Sequence, residues 1–139
     1  MKRTATAVWN GTIKEGSGYI TTQSTLLNKA PYSFNSLFTD GIGTNPEELM
    51  AAAHAGCFAM QLSLNLSLAG FTPALLETDC TISLEAGNIT SVHLKLKASI
   101  PGLTTEQFKE YTEEAKDNCP MSKICNLAVS LDALLIQST

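Results

Sequence analysis

Charge is sparse in this 139-residue chain. Asp, Glu, Lys and Arg make up 16% of it, where soluble surfaces carry about a quarter to a third. Apolar residues make up 44%, so a surplus of apolar surface is expected, and that points to an oligomer interface. Positive charge is scarcest: nine Lys and Arg stand against thirteen Asp and Glu, for a formal net charge of −4. That balance argues against nucleic acid or a membrane surface as partner. No apolar secretory segment follows Met1-Lys2-Arg3, since Thr4 to Trp9 is short and alternating, and the expected compartment is the cytoplasm. Close cysteine pairs are missing too. The nearest two, Cys119 and Cys125, have five residues between them, and His54 and His93 fall on different elements, so no zinc site, and no other metal or cofactor, is expected. In a reducing compartment the four cysteines read as thiols, catalytic or buried. No repeat, low-complexity segment or linker is present, and residues 1–139 read as one domain.

What is there begins with short alternating segments. Thr4–Trp9 and Tyr19–Ser24 read as strands, separated by the turns Asn10-Gly11 and Gly16-Ser-Gly18. Ser33–Phe38 reads as a third strand, with a turn over Asp40–Gly43. A long helix follows. Asn45 suits its N-cap, Pro46 its first turn and Glu48 a capping box, while Gly70 supplies the stop. From Leu49 to Ala69 it holds no charged residue. A run of that length can span a membrane, but His54, Gln61, Ser63, Asn65 and Ser67 interrupt it. The preferred reading is a central helix buried nearly all round, which in so short a chain calls for a second subunit.

A hairpin comes next. Leu76, Thr78, Cys80, Ile82 and Leu84 share one face, and Val92, Leu94, Leu96, Ala98 and Ile100 share the matching face of the partner strand. The turn is read at Gly87-Asn88, and an acidic outer row faces a basic one. Thr104 with Gln107 opens a second helix with Phe108, Tyr111 and Ala115 inward, ending near Asn118. Cys119-Pro120 starts a helical turn, and Leu127, Val129 and Leu131 suggest a last strand. The class is α+β: β-meander, long helix, hairpin, helix, strand.

The bland reading of any cysteine is a small buried hydrophobe, and Cys80 and Cys125 fit it. Cys57 differs, lying mid-helix within His54-Ala-Gly-Cys57-Phe. His54, three residues earlier, shares its face, and an imidazolium there would lower the thiol's pKa. Cys119 stands at a helix start, where free amides would favour its thiolate.

Four stretches resemble the OsmC/Ohr family of osmotically inducible and organic hydroperoxide resistance proteins, more closely its OsmC branch. They are Trp9-Asn-Gly-Thr-Ile-Lys14 with Gly16-x-Gly18, Pro31-Tyr-Ser-Phe-Asn35, Gly43-Thr-Asn-Pro-Glu-Glu-Leu49 continuing into Ala52-Ala-His-Ala-Gly-Cys57-Phe, and Asn118-Cys-Pro-Met-Ser122. The resemblance implies an intertwined homodimer with the long helices in a shared core. It implies thiol-dependent reduction of organic hydroperoxides, with Cys57 as peroxidatic cysteine, Cys119 as resolving cysteine and Glu47 as active-site carboxylate. An external dithiol or lipoyl group would be the reductant. The arginine of the OsmC branch is replaced here by Leu37, the position that the Ohr branch uses, near Lys14-Glu15, holds none, and Arg3 is the only arginine. Lys14, Lys29 and His54 are the remaining candidates for positive charge. Two alternatives follow: a thiol sensor or binder of small apolar ligands with little turnover, and a structural dimer with inert cysteines.

Overall fold

The computed structural model describes residues 1–38 and 42–137, which divide into two compact units, Met1–Leu49 and Met50–Thr139. In the first unit, β1 (Ala5–Asn10), β2 (Ser17–Thr22) and β3 (Ala30–Tyr32) form an antiparallel sheet in sequence order. Trp9 and Tyr32 pack against each other across it, with ring centroids 5.4 Å apart and the rings tilted by 59°. Gly18 lies between them, where a Cβ would collide with Val8 O and press on both rings.

The strand expected over Ser33–Phe38 is not there. The third strand ends at Tyr32, and Phe34–Phe38 form a short helix, α1. The cause is local. Ser33 Oγ accepts from the Ser36 N–H at 3.2 Å, and Ser36 Oγ accepts from the Ser33 N–H at 2.9 Å. This reciprocal cap outweighs the alternating pattern. The turn expected over Asp40–Gly43 lies in part outside the described residues.

α2 (Pro46–Leu68) begins as anticipated, with Asn45 Oδ1 accepting from the Glu48 N–H at 2.7 Å. The capping box is only half made, because the Glu48 carboxylate accepts from Thr44 Oγ1 at 2.8 Å instead of turning back to Asn45. At the far end Gly70 takes φ +89°, and the Phe71 N–H reaches Leu66 O at 2.9 Å. This is the left-handed C-terminal cap that glycine permits.

In the second unit β4 (Leu75–Glu85) and β5 (Asn88–Ser99) form the expected hairpin, and β6 (Val129–Gln137) runs parallel to β5 on its other side. The register sets Glu77 opposite Lys97 and Asp79 opposite Lys95, as the two charged rows suggested. The turn is one residue earlier than expected: Ala86 and Gly87 carry the positive φ angles, and Asn88 opens β5. A parallel return needs a crossover, which α3 (Thr105–Asn118) and α4 (Pro120–Ile124) provide. The α3 capping box between Thr104 and Gln107 is complete. The last strand starts at Val129, leaving Leu127 in the preceding loop.

The core gathers Leu94, Leu96 and Ala98 from β5 and Ile100 just past its end with Phe108 and Ala115 from α3, and with Phe58, Leu62 and Leu66 from α2. The burial expected all round α2 was tied to a second subunit, and a single chain supplies only part of it. Within one chain it buries a single stripe, His54, Phe58, Leu62 and Leu66, spaced every four residues. Met60, Leu64 and Leu68 on its other side are 76%, 52% and 80% exposed. By length and composition alone α2 could cross a membrane. Its buried stripe, packed with the core residues of β5, is that of a helix laid on a sheet.

Candidate active site

α2 and the α3–α4 junction bring the two singled-out sulfurs together. Cys57 is half-buried on α2 beside the buried stripe. Cys119 is wholly buried at the N-cap of α4. Cys119 lies near enough to act electrostatically on Cys57, although 62 positions separate them in the chain. Pro120 at the first turn of α4 fixes the bend that turns Cys119 inward.

Electrostatics depart from expectation in two ways. Burial pushes the Cys57 thiol above its ordinary value, opposed by a hydrogen bond from the Met121 backbone N–H and reinforced by Cys119. The amide at the start of α4 therefore serves Cys57. Cys119 makes no capping bond with its side chain, contrary to the expectation that free amides there would hold its thiolate. Second, His54 does not act as a cation on Cys57. The ring is fully buried, and burial lowers its pKa, so it is neutral at pH 7. Its Nε2 lies 2.9 Å from Ser122 Oγ, and Ser122 Oγ lies 3.6 Å from Cys119 Sγ. Of the other candidate cations, the Lys29 ammonium lies 5.8 Å over the Tyr19 ring in the first unit.

Beside Cys57 opens an apolar groove of about 750 Å³, lined among others by Gly56, Met60, Leu64, Pro120 and Met121. A Cβ at Gly56 would meet no other atom within 4 Å, so the glycine widens the groove where the thiol is reached. Glu47, on the first turn of α2, is half-buried, with Oε2 shut off from solvent and without a hydrogen-bond partner among the described residues. Cys80 and Cys125 are both raised by burial, and Cys119 lies within electrostatic reach of each. All four cysteines are free, and no group of His, Cys, Asp and Glu among the described residues could hold a metal ion. Two participants were missed in the sequence, Ser122 and the Met121 amide. Ser122 closes the Asn118-Cys-Pro-Met-Ser122 stretch and lies three residues, one helical turn, after Cys119, and either signal could have pointed to it.

The arrangement is a reachable thiol at an apolar groove, with a second thiol behind it. Residues 39–133 match the family model described as OsmC-like protein. The chain is 43% identical over 130 residues to "Peroxiredoxin OsmC" of Escherichia coli K12, covering 91% of each. It is 33% identical over 97 residues to "Organic hydroperoxide resistance protein-like 2" of Staphylococcus epidermidis, covering 66% of this chain and 68% of that one. Among solved structures, the organic hydroperoxide resistance protein OhrB of Bacillus subtilis superposes with TM-score 0.70 at 26% identity, covering 95% of this chain and 97% of that one. An OsmC-like protein of Mycoplasma pneumoniae superposes with TM-score 0.78 at 15% identity over 98% of each chain, a likeness of fold.

Proposed function

The chain belongs to the OsmC-like protein family, and from that premise we propose that it is a thiol-dependent peroxidase that reduces organic hydroperoxides to alcohols. The observation that carries this reading is the pairing of Cys57 with Cys119 at the edge of an apolar groove. The Cys57 thiolate attacks the distal oxygen of ROOH, the O–O bond breaks, and the departing alkoxide takes up the proton given up when the thiol ionised, leaving as the alcohol. Cys57 is then a sulfenic acid. Cys119 attacks that sulfur, its proton joins the departing hydroxyl as water, and a Cys57–Cys119 disulfide forms. An external dithiol or lipoyl group returns both thiols. The groove favours an alkyl or aryl R group over hydrogen peroxide, because burying apolar surface contributes about 25 cal/mol per Å².

Glu47 is the proposed active-site carboxylate. It sits ten residues before Cys57 on α2, about 15 Å along a straight helix, so its part in the reaction requires a bend or a contribution from a second copy. A homodimer is proposed on the exposed apolar row Met60, Leu64 and Leu68 and on the low charge of the chain. A reducing cytoplasm suits four free cysteines.

The test is steady-state consumption of cumene hydroperoxide with a dithiol reductant. Turnover lost in Cys57→Ser is the expected result. The raised Cys57 thiol and Leu37 in place of the family's arginine favour a second reading, a slow sensor of the same fold. One equivalent of peroxide consumed without turnover would support the sensor and overturn the peroxidase.

A further inference from the structure

His54 and Ser122 have no part in the reaction described so far, yet they form a buried polar chain that ends on Cys119. The direction of its hydrogen bonds can be worked out. His54 Nδ1 is buried and has no partner among the described residues. A buried N–H without an acceptor is costlier and rarer than an unpaired lone pair. The proton of the neutral ring therefore sits on Nε2, which donates to Ser122 Oγ at 2.9 Å. The Ser122 hydroxyl, with a lone pair engaged, directs its own proton to Cys119 Sγ at 3.6 Å. Each donor in such a chain polarises the next.

We propose that Ser122, held by the buried His54, is a positioned hydrogen-bond donor that makes Cys119 the leaving thiol when the Cys57–Cys119 disulfide is reduced. The inference rests on the two-thiol reading and adds the direction of its reductive half. A reductant thiolate attacks Cys57 Sγ, the sulfur that faces the groove; Cys119 is wholly buried and out of reach. The Cys57–Cys119 bond breaks and its electron pair leaves on Cys119, where the Ser122 O–H meets the developing charge. Cys119 then takes a proton from water. The second thiol of the reductant displaces Cys57, and the reductant departs as a disulfide. Hydrogen bonds to charged groups are the strong ones, and thiol–disulfide exchange is sensitive to the stability of the leaving thiolate.

The test uses protein oxidised with diamide, so that the disulfide forms without peroxide, and follows its opening by 2-mercaptoethanol with acid quench and mass spectrometry. Ser122→Ala slows opening roughly ten- to hundredfold, and Ser122→Thr restores it. His54→Leu slows opening, and His54→Gln, which keeps an N–H donor near the Nε2 position, recovers it. Opening of Ser122→Ala at the wild-type rate overturns the proposal, as does failure of Ser122→Thr to restore a rate that Ser122→Ala lost. Failure of diamide to link Cys57 to Cys119 overturns it as well. Ser122-dependent opening in a protein that leaves organic hydroperoxides untouched would sink the peroxidase and leave the donor chain standing.

Discussion

Phe58 and Met60 are two residues apart on α2 and should respond to truncation in different ways. Phe58 is 0% exposed within the core cluster, whereas Met60 is 76% exposed. Phe58→Ala removes a fully buried ring and should cost about 3–5 kcal/mol. Complete burial of a methionine contributes roughly 1.5–3 kcal/mol. With about a quarter of Met60 covered, Met60→Ala should cost the folded chain about 0.5 kcal/mol or less. Urea slopes of about 1–3 kcal/mol per molar turn the Phe58 loss into a midpoint shift of one to several molar, and the Met60 loss into a few tenths. The assay is urea unfolding at two protein concentrations, with sedimentation of Met60→Gln beside it. If the exposed row is a dimer face, Met60→Gln raises the monomer fraction, and its stability loss shrinks as protein is diluted. A Met60→Ala loss as large as that of Phe58→Ala and independent of concentration would refute the one-stripe description of α2.

Three pH predictions follow from the site. The thiolate is the nucleophile and burial holds Cys57 above its ordinary value. Its rate with peroxide should therefore climb as pH rises through neutrality into the alkaline range, and a rate already flat below pH 7 would contradict that. The same shift adds stability that is present below the unfolded thiol value of about 8.5 and is lost as pH rises beyond it, so alkaline unfolding should ease in Cys57→Ala. His54 is shifted the other way, its pKa lowered by burial. The unfolded chain then binds the extra proton, so the contribution is present above about pH 6.5 and is lost as pH falls. Melting temperature should drop on acidification below that point, and His54→Gln should flatten the drop; an unchanged acid limb would contradict the buried neutral ring.

Elements with a local chemical signature were legible in the sequence. Thr104 with Gln107, Asn45 with Pro46, Gly70, and the alternation of β4 and β5 each name a bond or a face that needs no distant partner. What failed depended on competition or on tertiary context. Ser33–Phe38 alternates, but the two serines cap each other, and that local bond prevailed. The hairpin turn slipped by one residue because Ala86 accepts a φ of 51°. His54 was placed correctly on the helix face near Cys57, and its chemistry was still misread. It belongs to the every-fourth-residue stripe that faces the core, and burial keeps it neutral. The pairing of Cys57 with Cys119 came from family motifs, since no spacing rule joins two thiols 62 positions apart. Which sulfur receives the Met121 amide depends on how α4 packs on α2, which only coordinates reveal.

The central claim is that Cys57 and Cys119 act on one peroxide as a pair. It is tested most directly by peptide mass spectrometry after one equivalent of cumene hydroperoxide, without reductant. The account predicts a single linkage between the peptides carrying residues 57 and 119, absent from Cys57→Ser, and Cys119→Ser halted at a Cys57 sulfenic acid. Oxidation confined to Cys80 or Cys125, or a Cys57 sulfenic acid that persists while Cys119 stays reduced, would contradict it.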